Sequence, residues 1–488
     1  MNYKNIISLH KKSGAVLFGI VLFFFILSLL PFSLTPKATA VFAVAILMIC
    51  WWLLEAIPLA ITAMLPLVFF PALQLYPMKE VAKHYADPTI FLFMGGFFLG
   101  IAIEKWFLHK RIALNIINIT GFNGNRIILG FILSSGFLSL WLSNSATTIM
   151  MFPIAISVVN VVKSNAIDPK DKHHFSLALL LSIAYASNFA IGTIIGTPPN
   201  IAYVNYIADA FHYDIEFTKW MILFIPLTII LLLLLYVILV KWLYPNNIGA
   251  SAEGEVYIKE EIKKLGRFSR QEKRVGLIFV LTVLCWIFKD FLNSIQQTVL
   301  LDDSAIALLG AFALFIIPSG EKDNKKFSTL LTWDDTSKMA WDILILLGGG
   351  LALAKGLEEA KLMNQLGLFL SSYSTHHTFL LILIIVSVSI FLSELISNMA
   401  QVLVMAPVIS SLAISQHIDP LLLGIPMTLA ASCASMLPMG TPPNAIVYAS
   451  GYIKMKEMYK AGFILNIVCA IVIALFCYFF QPSMMKLP

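Results

Sequence analysis

The chain has 488 residues, is 59% hydrophobic and 12% charged, and carries a formal net charge of +6. Soluble domains carry about 25% charged residues, so this composition excludes an ordinary globular protein. It points to a polytopic membrane protein, because apolar runs of bilayer-crossing length recur throughout. The basic residues lie in short loops between those runs, which implies contact with membrane lipid rather than with nucleic acid.

The N-terminus is basic (Lys4, Lys11, Lys12), and the first apolar run, Ser13 to Phe32, is followed by no small-residue cleavage site. A retained span is therefore expected, not a signal peptide. Spans follow at about 14–33, 38–57, 60–75 and 88–107. Residues 124–163 are apolar with a polar centre, and the loops on either side are basic (Lys105, Lys110, Arg111; Lys163, Lys170, Lys172). A segment that begins and ends on one side with a polar tip is a re-entrant hairpin, tolerated where protein or a water-filled cavity surrounds the tip. An interrupted span at about 174–209, an acidic outer loop (Asp209, Asp214, Glu216) and a span at about 217–243 complete a first half, 1–243. Residues 244–274 carry seven Lys or Arg and read as a cytoplasmic linker with an amphipathic surface helix.

The second half, 275–488, repeats the plan: spans at about 275–293, 304–318 and 341–358, a hairpin at 376–416, an interrupted span at 420–450 and a last span at 457–480. The sum is an all-α protein of eleven spans and two re-entrant hairpins. The positive-inside rule places the N-terminus and residues 105–111, 163–172, 244–274, 319–340 and 453–460 in the cytoplasm, and the C-terminus outside. An odd number of spans between the halves makes the repeats inverted.

The polar breaks are lettered alike. Leu138-Ser139-Leu140-Trp141-Leu142-Ser143-Asn144-Ser145-Ala146 returns 254 positions later as Leu392-Ser393-Glu394-Leu395-Ile396-Ser397-Asn398-Met399-Ala400, each followed by a proline, Pro153 and Pro407. Gly196-Thr197-Pro198-Pro199-Asn200 returns unchanged as Gly440-Thr441-Pro442-Pro443-Asn444. A helix that stops in mid-membrane leaves about four N–H or four C=O groups without intrahelical partners. Carbonyl ends with hydroxyl and carboxamide oxygens suit a hard cation, and N–H ends with hydroxyl donors suit an anion. Ser139 and Ser143, at i and i+4, are expected on one helix face beside the Asn144 carboxamide, opposite bare carbonyls at Gly196. Ser393, Asn398 and the backbone near Ile396 and Gly440 form the matching oxygen cage. No lysine or arginine lies in any of the four breaks. An anion would be held by Ser143, Asn144, Ser145, Thr197, Ser397, Asn398 and Thr441, by helix ends and by co-bound cations. A helix end contributes at most about 2 kcal/mol per charge, less than the several kcal/mol that desolvating each charge costs, so cations must bind with a dianion.

At these residues the chain resembles the divalent anion/sodium symporter family, the carriers of succinate, other C4-dicarboxylates, citrate and sulfate. The resemblance rests on Ser143-Asn144-Ser145 and Ser397-Asn398-Met399 at the hairpin tips and on Gly196-Thr197-Pro198 and Gly440-Thr441-Pro442 at the broken spans. It extends to Tyr85-Ala86-Asp87-Pro88, Phe91-Leu92-Phe93-Met94-Gly95-Gly96 and Leu108-His109-Lys110-Arg111-Ile112-Ala113-Leu114. It implies a homodimer in the bacterial cytoplasmic membrane, and scaffold helices over 14–107 and 275–358. It further implies elevator-type transport domains over 124–209 and 376–450, and sodium-coupled uptake of a C4-dicarboxylate such as succinate, fumarate or malate. It implies one Na+ at Ser139, Ser143, Asn144 and Gly196, a second at Ser393, Ile396, Asn398 and Gly440, and substrate contacts that include Pro198, Met399 and Pro442. Met399 departs from the family's hydroxyl at that position. Exchange of two organic anions, and citrate or sulfate as substrate, stay open as alternatives.

The remaining polar residues read as structural. Glu394 is expected to meet a partner at the protein–water boundary, Glu55 and Glu104 to be interfacial, and His376 and His377 to be solvated at a hairpin mouth. The five cysteines lie in apolar runs with no metal or redox spacing. No catalytic dyad or HExxH motif points to an enzyme.

Overall fold

A computed structural model describes residues 3–29, 35–165, 168–249, 252–295, 300–323, 326–362 and 377–487. Helices account for almost all of it. The first half opens with α1 (Tyr3–Leu29), α2 (Pro36–Leu53), two short helices α3 (Leu59–Ala63) and α4 (Leu65–Ala72), α5 (Met78–Lys83) and α6 (Pro88–Lys105). Proline follows an aspartate or threonine at several starts: Asp87 accepts a hydrogen bond from the Thr89 N–H (2.9 Å), and Pro88 takes the first helical position, where its missing N–H costs nothing.

After α6 the structure departs from the sequence expectation. Residues of the presumed basic loop form an amphipathic helix, α7 (Leu108–Thr120), entered through Phe107 in a left-handed conformation (φ 56°). Its buried residues include Leu108, Arg111, Leu114 and Ile117 at helical spacing, and the helix packs on the first arm of the hairpin. That hairpin is α8 (Gly124–Ser139) and α9 (Asn144–Asn165). The interrupted span follows as α10 (Pro169–Asn188) and α11 (Pro198–Phe211), then α12 (Phe217–Tyr236).

The linker contains α13 (Ala252–Lys264), as expected. Beyond it lie α14 (Arg270–Ile287), α15 (Lys289–Ile295), α16 (Asp303–Ile316), a small antiparallel hairpin of β1 (Pro318–Asp323) and β2 (Lys326–Thr329) that periodicity did not suggest, and α17 (Trp341–Glu359). The second hairpin is α18 (Thr378–Leu392) and α19 (Asn398–Ser415), the second interrupted span is α20 (Pro420–Ser432) and α21 (Pro442–Tyr448), and α22 is Met455–Phe480.

The interrupted spans form the centre. Every residue from 175 to 197 and from 423 to 436 is buried. Helix α10 lies between α8 and α9, and α20 between α18 and α19. The halves then cross, with α10 against α21 and α11 against α20. Outer helices are apolar on the outside instead. On α22, Tyr459, Phe463, Ile467, Ile471 and Leu475, every fourth residue, are exposed, while Leu465, Cys469 and Ile473 are buried. A continuous exposed apolar stripe of this kind fits lipid, not water.

Among the described residues, six helices are long and apolar enough to cross a bilayer, or seven if the pair α14–α15, bent by 73°, counts as one span. The difference from eleven has a physical source. Breaks and turns divide several apolar runs into helices of 10–17 residues, among them Asp303–Ile316, Thr378–Leu392 and Pro420–Ser432. Glu55 is exposed in a left-handed turn after α2 (φ 46°), Glu104 is partly exposed near Lys338, and His377 is exposed, whereas His376 lies outside the described residues. The cysteines are free, and no group of His, Cys, Asp and Glu among the described residues could hold a metal ion.

One buried ion pair ties α7 to the end of the linker, at the first turn of α14. Arg111 Nε donates to Glu272 Oε1 (2.7 Å) and Nη2 to Oε2 (3.1 Å), with both side chains about 5% exposed. The guanidinium also donates to the carbonyls of Leu265 and Gly266 (both 3.0 Å) and stacks over Phe268. Burial pushes the Glu272 carboxyl up, but Arg111 and the Ser269 N–H outweigh it and hold it below the ordinary glutamate value. A depressed carboxyl contributes its full stability above the ordinary range and loses it as pH falls through the folded-state pKa. Glu272→Gln is therefore expected to cost about 3 kcal/mol at neutral pH and to flatten the acid limb of a melting-midpoint-against-pH curve in detergent. A variant with the wild-type curve would show that the pair does not fasten α7.

Candidate functional site

The four breaks meet in the buried centre. Helix α8 ends on Ser139 and α9 begins on Asn144, so Ser143 precedes the second helix and does not share a helix face with Ser139. Ser143 is exposed and caps α9, its hydroxyl accepting from the Ala146 N–H (3.2 Å). Ser139, by contrast, is fully buried against Asn144.

One terminal atom of the Asn144 carboxamide lies 2.8 Å from Ser139 Oγ, 3.1 Å from the Ser187 carbonyl and 3.0 Å from the Gly196 carbonyl. As Nδ2 it faces these three acceptors with two protons to donate. As Oδ1 it completes a cluster of four oxygens with one hydroxyl proton among them. Gly196 permits this approach: a Cβ there would lie 2.5 Å from the Ala190 carbonyl and 3.2 Å from that of Ser139. The second half repeats the arrangement. Ser393 Oγ is 2.6 Å from Asn398 Oδ1 and 2.5 Å from the Ala431 carbonyl. A hydroxyl has one proton, so it satisfies only one of these acceptors at a time. The second cluster thus holds more acceptors than protons, and so does the first when Asn144 presents Oδ1 to it. Gly440 packs on the same turn, a Cβ there falling 2.7 Å from Glu394 Oε2. Ile396 is half-buried in the turn of 393–397.

The asparagine that ends each Gly-Thr-Pro-Pro-Asn stretch folds back over its own break. Asn200 Nδ2 donates to the carbonyls of Ile191 (3.2 Å) and Thr193 (3.0 Å), and Asn444 Nδ2 to those of Ala434 (3.3 Å) and Leu437 (3.1 Å). The prolines take the first turns of α11 and α21.

Glu394 is not at a water boundary. It is 2% exposed and accepts from the N–H groups of Ser435 (2.7 Å), Met436 (2.7 Å) and Leu437 (2.9 Å) and from Asn466 Nδ2 (2.7 Å). Its counterpart in the first half is Leu140, whose carbonyl accepts from Thr193 Oγ1 (2.5 Å). The half-to-half match breaks here: one turn is held by a carboxylate, the other by a hydroxyl.

Thr197 and Thr441 are buried; Asn144, Ser145, Pro198, Ser397 and Asn398 are half-buried; Pro442 is exposed. Met399 is 5% exposed and joins the apolar core, whereas its counterpart Ser145 does not. Sequence reasoning missed Asn188 and Ser432, the last residues of α10 and α20, and Gln401, whose Nε2 clasps Ser389 on the facing arm (2.6 Å to Oγ). Aligning the halves on Gly-Thr-Pro-Pro-Asn puts Asn188 and Ser432 at the same position, a polar residue closing each apolar run, and that signal was available.

The chain matches the sodium:sulfate symporter transmembrane-region family over residues 11–487. It belongs to that family. It is therefore an integral membrane transporter and not an enzyme. A curated relative, the sodium-dependent dicarboxylate transporter SdcS of Staphylococcus saprophyticus, is 38% identical over 94% of this chain and 90% of the relative. SdcS of Staphylococcus aureus strain USA300 is 37% identical over 96% and 90%. Among solved structures, the Alcanivorax borkumensis YdaH transporter superposes with a TM-score of 0.59 at 13% identity, covering 86% of this chain and 91% of that one. This likeness bears on the fold alone.

The Glu394 carboxylate gives the second break its shape, so removing it should be felt in stability first. Glu394→Gln is expected to lower the detergent melting midpoint, since each orphaned buried N–H costs about 1–3 kcal/mol, and Glu394→Leu to prevent recovery of monodisperse protein. An unchanged midpoint in Glu394→Gln would show that the turn stands without the charge.

Proposed function

We propose that this protein takes up C4-dicarboxylates such as succinate, fumarate and malate across the bacterial cytoplasmic membrane together with Na+. The observation that carries this reading is the pair of acceptor-rich clusters at Asn144 and Asn398 in a chain of the symporter family. With the Asn144 carboxamide turned to present Oδ1, a small cation in each cluster satisfies oxygens that have too few protons: Ser139, Asn144 and the Ser187 and Gly196 carbonyls in one, Ser393, Asn398 and the Ala431 carbonyl in the other. The sodium sites carried over from the family add Ser143 to the first and Ile396 and Gly440 to the second. The names of the staphylococcal relatives support the dicarboxylate.

The anion is assigned to the N-terminal ends of α9 and α19 and to Ser143, Asn144, Ser145, Thr197, Ser397, Asn398 and Thr441, with Pro198, Met399 and Pro442 beside it. No basic side chain lies in the breaks, so the cations bound beside it offset its charge, which is the physical source of coupling. The halves act as inverted repeats. Residues 124–209 and 376–450 move as the transport unit against a scaffold of 14–107 and 275–358 in a homodimer, with the N-terminus cytoplasmic and the C-terminus outside.

The test is uptake of labelled succinate into proteoliposomes. An inward Na+ gradient should drive accumulation that K+ does not support; equal uptake in sodium-free medium sinks the symport reading. Asn144→Ala and Asn398→Ala should each abolish uptake while eluting normally on gel filtration, because each removes an oxygen of one cluster and leaves its buried partners unpaired. Near-normal uptake by either would move the site away from the hairpin tips.

A further inference from the structure

Each interrupted span ends on a side chain that reaches into the other half. Asn188, the last residue of α10, is fully buried and donates through Nδ2 to Thr441 Oγ1 (2.9 Å), with Asn444 Oδ1 at 3.3 Å and the Ala434 carbonyl at 3.4 Å. Ser432, the last residue of α20, is buried and donates to Thr197 Oγ1 at 3.1 Å. The two links are counterparts, since each donor stands nine residues before the threonine of its own half and bonds the threonine of the opposite half.

The neighbouring residues add the second observation. The Ser187 carbonyl belongs to the Asn144 cluster, and the Ala431 carbonyl accepts from Ser393 in the other cluster. Adjacent residues on one helix end therefore touch the oxygen cluster of their own half and the threonine of the other.

The proton inventory gives these links a direction. A threonine hydroxyl has one proton and two lone pairs. Thr441 Oγ1 accepts from Asn188 and also from the Asn444 N–H (3.4 Å), and Thr197 Oγ1 accepts from Ser432. The Asn188 carboxamide nitrogen only donates, so Thr441 cannot give its own proton back along that link. Thr197 and Thr441 are 0% and 3% exposed, and among the described residues neither hydroxyl gives its proton to an acceptor. Two buried hydroxyls thus have their acceptor side occupied and their donor side available, which is the state an anion requires.

We propose that Asn188 and Ser432 are positioning residues that hold Thr441 and Thr197 as one-way donors to the transported anion, each link running from the cation cluster of one half to the anion contact of the other. This rests on the reading of the clusters and threonines given above. It assigns to two residues outside the repeated motifs the task of tying the two halves of the site together.

The test uses full-length protein in proteoliposomes with labelled succinate at saturating Na+. Ser432→Ala deletes one hydroxyl and should raise the succinate KM about tenfold while the maximal rate stays within about twofold. A double-mutant cycle supplies the readout that a merely structural role does not move. Ser432→Ala combined with Thr197→Val should be no worse than Thr197→Val alone, whereas Ser432→Ala combined with Thr441→Val should multiply the two single effects. If Ser432→Ala is not recovered folded, Asn188→Ser, which installs the residue its counterpart carries, is run in the same cycle with Thr441→Val. A KM within twofold of wild type, or multiplicative effects in the linked pair, overturns the proposal. Absence of sodium-dependent succinate uptake in the wild type would instead refute the functional reading on which it rests.

Discussion

The structure depends on one constraint: a backbone interrupted inside an apolar layer must find partners for every N–H and C=O that the lost helical turns release. Four interruptions are brought to one place, and each is resolved by short-range hydrogen bonds from a few side chains. Asn200 and Asn444 each hold two carbonyls of the break before them. Glu394 holds three consecutive N–H groups. The oxygens that remain around Asn398, and around Asn144 when it presents Oδ1, are left with too few protons. The chemistry of the site is thus what the hydrogen bonds closing the breaks leave over.

The two halves solve the same problem with different residues, and the differences are informative. Both hairpin turns pair a serine hydroxyl with an asparagine five residues on, at 2.8 and 2.6 Å. Where the first half uses Thr193 and the Leu140 carbonyl to shape its turn, the second uses a buried carboxylate. Ser145 is half-buried at the first tip while Met399 packs into the core at the second. The two hairpin turns therefore present unlike side chains at these points. Because α10 packs on α21 and α11 on α20, neither half completes its surroundings alone.

Around this centre the molecule is held from the linker and from the membrane layer by separate means. The Arg111–Glu272 pair, with its hydrogen bonds to the Leu265 and Gly266 carbonyls, fixes α7 against the linker where water is near. The outer helices instead present periodic apolar rows such as Tyr459 to Leu475, for which lipid supplies the other side.

What the sequence by itself determined is the membrane class and the position of the four breaks. These follow from local chemistry: apolar run length, the Asp-Pro and Thr-Pro helix starts, and a pentapeptide that recurs unchanged. It did not disclose α7, because a 13-residue amphipathic helix beside basic residues reads like a loop until a partner surface is known. It placed Ser143 on a helix face that the turn at 140–143 does not form, and set Glu394 near water when four donors from distant segments keep it buried. Nor did it show which side chains cross between halves, since Asn188 and Thr441 are 253 residues apart and only the packing of α10 on α21 brings them within hydrogen-bond distance. Periodicity and motif spacing act along the chain over a few turns. Partnership of buried polar groups is decided by where the chain returns, and that was left to the tertiary structure.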